Sequence, residues 1–171
     1  MAEVRAKLHR LPLAAYQGEK AVSFTCCLRD RKRGFVNAEI VNPLVQMLSE
    51  AANKYHCIVP VYCFMPDHLH AVLRGTSPQA NAKTAIDAFK SNSGLWLCQN
   101  APFCEWQLNY HDHVLRKSED FRNHVRYVAR NPIRAGLVHE MTEYPFLGSI
   151  GCDLSEVLFD VEESERFGRF Q

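Results

Sequence analysis

The chain has 171 residues, of which 47% are hydrophobic and 23% charged, the makeup of one globular domain with an ordinary core. No apolar run approaches the roughly 20 residues that cross a bilayer, so no membrane role is expected. The basic start MAEVRAKLHR is not followed by the apolar stretch and cleavage site of a secretory signal. The net charge of +1 hides an asymmetry: residues 136–171 carry two basic and eight acidic side chains, residues 1–135 carry 18 basic and 11 acidic ones. A basic body with an acidic tail, residues 152–171, suits a polyanionic partner, because phosphate binding needs clustered Lys and Arg.

The seven cysteines (Cys26, Cys27, Cys57, Cys63, Cys98, Cys104 and Cys152) are odd in number and never spaced as CxxC. That pattern fits neither a zinc site nor a secreted disulfide scaffold, and reads as reduced, mostly buried thiols in a cytoplasmic protein.

In chain order, AVSFTCCL (residues 21–28) is β-branched, aromatic and small, and predicts a strand. RDRKRG follows as a charged loop in which Arg29, Arg31, Lys32 and Arg33 place four cations within five residues. Val41, Leu44, Val45, Leu48 and Ala52 recur at helical spacing, predicting an amphipathic helix over residues 38–54. CIVPVYCFM (57–65) predicts an apolar strand, with Pro60 demanding an edge or a bulge. After a Pro66-Asp67 turn, HLHAVLRG (68–75) predicts the returning strand. A second helix is expected over 79–98, extended chain over 103–115, and a third helix from Ser118 to Arg130. Ser118 is its candidate N-cap, with Glu119 and Asp120 in the first turn, and Asn131-Pro132 should stop it. The order strand, helix, strand, strand, helix, strand, helix predicts one α+β domain, an antiparallel sheet with helices packed on it.

Two segments carry chemistry. His68 and His70 are two apart in a strand, so both imidazoles project from one face and can share a metal ion; taken bare, the pair equally describes two polar residues at a strand start. In FRNHVRYVARNP, Tyr127 and Asn131 share a helix face, and Arg122, Arg126 and Arg130 form a phosphate-suited row. A tyrosine hydroxyl is a covalent nucleophile when activated, and is otherwise a core or surface ring.

VYCFMPDHLHAVL, followed much later by DFRNHVRYVARNPIRAGLV, resembles the REP-associated branch of the HUH single-tyrosine transposases, related to the IS200-like transposases. The His-hydrophobic-His motif is His68-Leu69-His70, and RYVARNPIRAGLV matches the tyrosine helix with Tyr127 in the nucleophile position. Asp112-His113-Val114-Leu115-Arg116 matches an upstream acidic-His-Arg pattern, and Tyr144-Pro145-Phe146 with Ser149 resembles the short closing segment of such domains. The resemblance covers residues 15–150. It implies a ferredoxin-like sheet with the HUH strand central, and Tyr127 attacking single-stranded DNA beside a hairpin to leave a 3′-hydroxyl and a 5′-phosphotyrosine. It further implies Mg²⁺ or Mn²⁺ on His68 and His70, with Asn131 as third ligand. The expected partner is repetitive palindromic DNA, bound by a monomer or homodimer associated with the nucleoid.

The expected DNA grip is Arg29, Arg31, Lys32, Arg33, Arg116, Arg126, Arg130 and Arg134 on phosphate. Asp112 and His113 either orient the site or are structural, and the structural reading is preferred. Two rivals remain: a domesticated relative that binds DNA without cutting it, and a metal hydrolase using His68, His70 and His113 with water as nucleophile.

Overall fold

A computed structural model describes residues 11–116 and 118–158, with the side chains of 118–120 outside the description. Seven main elements follow the predicted order: β1 (Ala21–Cys27), α1 (Ala38–Lys54), β2 (Cys57–Met65), β3 (His68–Gly75), α2 (Ala82–Asn100), β4 (His111–Leu115) and α3 (Ser118–Ala129). They are followed by a short turn of helix, α4 (Asn131–Arg134), and a strand, β5 (Leu147–Ile150), which was not predicted. The strands form one antiparallel sheet ordered β4-β1-β3-β2-β5, the ferredoxin-like arrangement with a strand added at one edge.

The histidine-bearing strand β3 is central, so both of its edges are paired. Alternation along it sends Leu69, Ala71 and Leu73 into the main core, beneath the apolar faces of α1 and α2. His68, His70, Val72 and Arg74 therefore face the other way, where α3 buries Val125, Val128 and Ala129 against Val61, Cys63, Met65, Val72 and Leu115. Pro60 produces the bulge expected of it, since the register of β2 shifts against both neighbours around that residue.

Local chemistry sets the helix ends. Asn37 caps α1 by accepting from Ile40 N at 3.0 Å, and Asn81 caps α2 by accepting from Thr84 N at 2.9 Å. The second cap moves the start of α2 from the expected 79 to 82, because the preceding residues bind the segment leading into β1: Gly18 N donates to Ala80 O at 2.9 Å. The helix continues through Gly94 to Asn100. Residues 103–110 do not extend the strand as expected. Trp106 is drawn under α2, donating from Nε1 to Ser93 Oγ at 2.9 Å, and the segment loops around that anchor. Asn131-Pro132 ends α3, as proline requires, but the chain resumes a helical turn with Pro132 near its start, where no N–H is needed.

Tyr144-Pro145-Phe146 leads into β5. The Tyr144 hydroxyl donates to Phe64 O at 2.7 Å and Phe64 N donates to Phe146 O at 2.9 Å, which adds the new strand to β2. Leu154, Val157 and Leu158 of the acidic tail pack on the α3-side cluster, whereas Phe159, Phe167 and Phe170 lie outside the described residues. The cysteines among the described residues are all free, with Cys26, Cys57, Cys63 and Cys104 buried.

Gly75 ends β3 where a side chain would strike the carbonyl oxygen of Gly18 and lie 2.8 Å from Ala80 Cβ. Both neighbours are short and anchored. Gly75→Ala is expected to cost about 1–3 kcal/mol, read as a lower urea midpoint with an unchanged slope.

Candidate metal and nucleophile site

β3 and α3 bring the three residues singled out in the sequence to one place. His68 and His70 approach with their Nε2 atoms 3.0 Å apart, and the Tyr127 ring stands edge-on to His70 with centroids separated by 5.9 Å. Tyr127 is 44% exposed, because Val125, Val128 and Ala129 take the buried side of α3 and leave the tyrosine on its shoulder. It is thus not a core ring. The Arg134 guanidinium covers the Tyr127 face at 4.7 Å.

The outer ring nitrogens are already engaged. His68 Nδ1 lies 2.5 Å from Asp67 Oδ1, and His70 Nδ1 lies 2.9 Å from Thr25 Oγ1. A carboxylate only accepts, so His68 carries its proton on Nδ1 and turns Nε2 toward His70. The Thr25 hydroxyl accepts equally well from a His70 Nδ1–H, which frees the second Nε2 in the same sense. Sequence reasoning missed both supports. Asp67 read only as a turn residue, and Thr25 becomes a partner through the β1–β3 register that sets it opposite His70.

Two bare Nε2 lone pairs 3.0 Å apart repel, and a shared proton or a cation relieves them. The spacing would let both nitrogens face one cation. Asn131 begins α4 and is buried, and its amide Nδ2 has no hydrogen-bond partner among the described residues. His113 does not join the pair: it pairs with Ser23 and stacks on His124, centroids 5.4 Å apart. Among the described residues no three His, Cys, Asp or Glu side chains converge for a metal, so His113 does not stand as a third ligand beside His68 and His70 in this arrangement. Asp112 accepts from the Tyr16 hydroxyl at 2.5 Å.

The predicted cations divide. Arg31 reaches the site, with Nε 3.3 Å from Asp67 Oδ2 and Nη1 donating to Cys27 Sγ at 3.0 Å. It does so from left-handed backbone at Asp30 and Arg31 (φ 55° and 53°), a conformation non-glycine residues hold only when their surroundings enforce it. Arg29 instead pairs with Glu105 at 2.7 Å. Lys32 and Arg33 are exposed in the same loop. Arg126 in α3 is half-buried, and Arg130, between α3 and α4, is exposed. Arg116 follows Leu115, which pairs with Ala21 at the far end of the sheet from the histidines.

A family model described as "Transposase IS200 like" matches residues 20–131. The chain belongs to the IS200-like transposase family. Within it, the chain is 28% identical over 147 residues to the REP-associated tyrosine transposase of Escherichia coli K12, covering 81% of each protein. It is 22% identical over 134 residues to a Haemophilus influenzae protein assigned provisionally to the same group, covering 72% of this chain and 76% of that one. The fold superposes on a REP-associated tyrosine transposase solved with a REP hairpin bound, at TM-score 0.69 and 20% identity, over 83% of this chain and 81% of that one. This IS200-like fold thus has the central strand and the opposed α3 that the sequence implied, and no helix among its described residues is long and apolar enough to cross a membrane.

Burial, then the electrostatic influence of His68 and of the Arg31 guanidinium, push the His70 imidazole down to about 4 from its ordinary 6.5, with Asp67 opposing. The folded ring therefore binds fewer protons than the unfolded chain between those values. Its contribution to stability is complete above pH 6.5 and is lost as the pH falls toward 4. In chelator, the melting temperature of the wild type should drop across that window, and His70→Gln should flatten the drop.

Proposed function

We propose that the chain is a metal-dependent single-stranded DNA endonuclease and strand transferase that works at hairpin-forming repeats through a 5′-phosphotyrosine. The carrying observation is the convergence of both Nε2 atoms with Tyr127 set beside His70. The names and bound hairpin of the relatives support DNA as the substrate class.

His68 and His70 would hold the ion, and Asn131 would supply the third ligand. Mg²⁺ or Mn²⁺ there provides Lewis-acid polarisation of a phosphate oxygen. The chain's own groups do the rest. The Tyr127 oxygen attacks phosphorus and forms the O–P bond as the bond from phosphorus to the 3′-oxygen breaks. The 3′-oxygen leaves as a hydroxyl, taking up a proton equivalent to the one lost by the phenol, and the 5′-phosphate stays on the tyrosine. A later 3′-hydroxyl reverses the exchange. Arg134 over the ring and Arg31 beside Asp67 place positive charge where a phosphodiester would enter. Exposure of Tyr127 gives the strand access without unfolding of α3.

Incubated with a hairpin oligonucleotide bearing a single-stranded flank and Mn²⁺, the wild type should give a covalent adduct on a denaturing gel. Tyr127→Phe should give none while still binding the oligonucleotide. His68→Ala should slow adduct formation roughly a hundredfold or more, as expected when several kcal/mol of charge stabilisation is lost. Adduct from Tyr127→Phe, or full activity in chelator, would overturn the reading.

Asp67 and Thr25 act as positioning residues that keep each Nε2 free for the ion. Thr25→Val should weaken Mn²⁺ binding about tenfold or more by calorimetry, and Thr25→Ser should restore it.

A further inference from the structure

The loop between β1 and α1 is tied to the turn that introduces the histidines. Leu28 N donates to Asp67 O at 2.9 Å and Phe35 N donates to Pro66 O at 3.0 Å, so residues 28–35 are pinned at both ends to Pro66-Asp67. Between those ties the chain folds back on itself. Arg31 N donates to Leu28 O at 3.1 Å, and Asp30 and Arg31 both hold left-handed backbone. This path delivers the Arg31 guanidinium to the Asp67 carboxylate, whose two oxygens are then divided. Oδ1 lies 2.5 Å from His68 Nδ1, and Oδ2 lies 3.3 Å from Arg31 Nε. One carboxylate thus serves a cation-facing histidine and an arginine at once.

The two partners of Asp67 make opposite demands on it. A carboxylate that leans wholly on an imidazole Nδ1–H makes the other ring nitrogen a better donor to a cation. A guanidinium on the same carboxylate withdraws part of that charge. Arg31 is also loosely held for an arginine. Its contact with Asp67 is single and long, and its Nη1 is spent on Cys27 Sγ, a weak acceptor, at 3.0 Å. The Arg31 side chain is 54% exposed, against 25% for Asp67 and 16% for His68, so of the three it is the one open to an incoming phosphate. A phosphate offers the pair of oxygens that a guanidinium fork prefers, and both present contacts are weak enough to be exchanged for it. We infer that Arg31 is a positioning residue that couples the strand to the cation. Without DNA it holds back part of the Asp67 charge, and a phosphate that draws it off Asp67 tightens the cation on His68 and His70. The coupling is reciprocal, so the cation also tightens the strand. This coupling rests on the metal and DNA reading above.

The test is Mn²⁺ titration by calorimetry on the full chain carrying Tyr127→Phe, so that no cleavage intervenes. It is run with and without a saturating hairpin oligonucleotide that bears a single-stranded flank. Arg31→Gln deletes the charge and keeps a long polar side chain. Without DNA it should tighten Mn²⁺ about threefold to tenfold, the opposite of what loss of a structural contact does. The oligonucleotide should tighten Mn²⁺ in the parent, and by a factor about threefold or more smaller in Arg31→Gln. Asp67→Asn should itself weaken Mn²⁺ about tenfold. In that background Arg31→Gln should change Mn²⁺ binding less than about twofold, because the arginine acts through the carboxylate. Unchanged or weakened Mn²⁺ binding in Arg31→Gln overturns the coupling. An effect of the same size with Asp67→Asn present also overturns it, since the arginine then acts on the cation directly. A parent that binds no Mn²⁺ sinks the metal reading, and one that binds Mn²⁺ but no oligonucleotide sinks the DNA reading; the coupling falls with either.

Discussion

Alternation along β3 governs this molecule, because successive side chains of a strand must leave on opposite faces and this strand lies in the middle of the sheet. Leu69, Ala71 and Leu73 are committed to the core under α1 and α2, so His68 and His70 have no alternative but the opposite face. A slip of one residue would bury two imidazoles among leucines and expose the leucines. The hydrophobic core therefore holds the histidine pair in register, and each apolar contact on one side supports the placement of a nitrogen on the other.

The opposite face would be open without α3. That helix covers one part of it through Val125, Val128 and Ala129 and leaves the neighbouring part accessible. Tyr127 falls on the boundary, close enough to meet His70 edge-on and still partly in solvent. The same partial cover desolvates His70 and keeps its ring neutral at ordinary pH, the form a metal needs. Packing, exposure of the tyrosine and basicity of the ligand thus share one cause.

Much of this was legible in the chain. The bounds of α1, β2 and β3 came out as read, because each is a long apolar pattern, and the two strands are separated by the Pro66-Asp67 turn. β5 was not legible: LGSI is short, with no alternation, and becomes a strand only because Tyr144 and Phe146 bind the backbone of Phe64. Residues 103–110 failed for the converse reason, since their extended look yields to the pull of Trp106 under α2. Among the basic residues, sequence grouped Arg116 with Arg31 and Arg134. The sheet puts it at the other end, beside Arg74, which no motif had marked.

The sequence by itself determined the pairing of the two histidines on one face, the helix that carries the tyrosine and the family to which both belong. The first two follow from periods of two and of 3.6, which are local properties of the backbone, and the family from the resemblance carried by the two motifs. Only the tertiary structure decided that the Nε2 atoms converge, that Asp67 and Thr25 hold the outer nitrogens, that Arg134 lies on Tyr127 and that His113 stands apart. Each of these depends on the register between strands, on the seating of α3 or on a local turn of chain such as the left-handed Asp30 and Arg31. Such placements are set by the packing of the whole domain, and no window of sequence contains it.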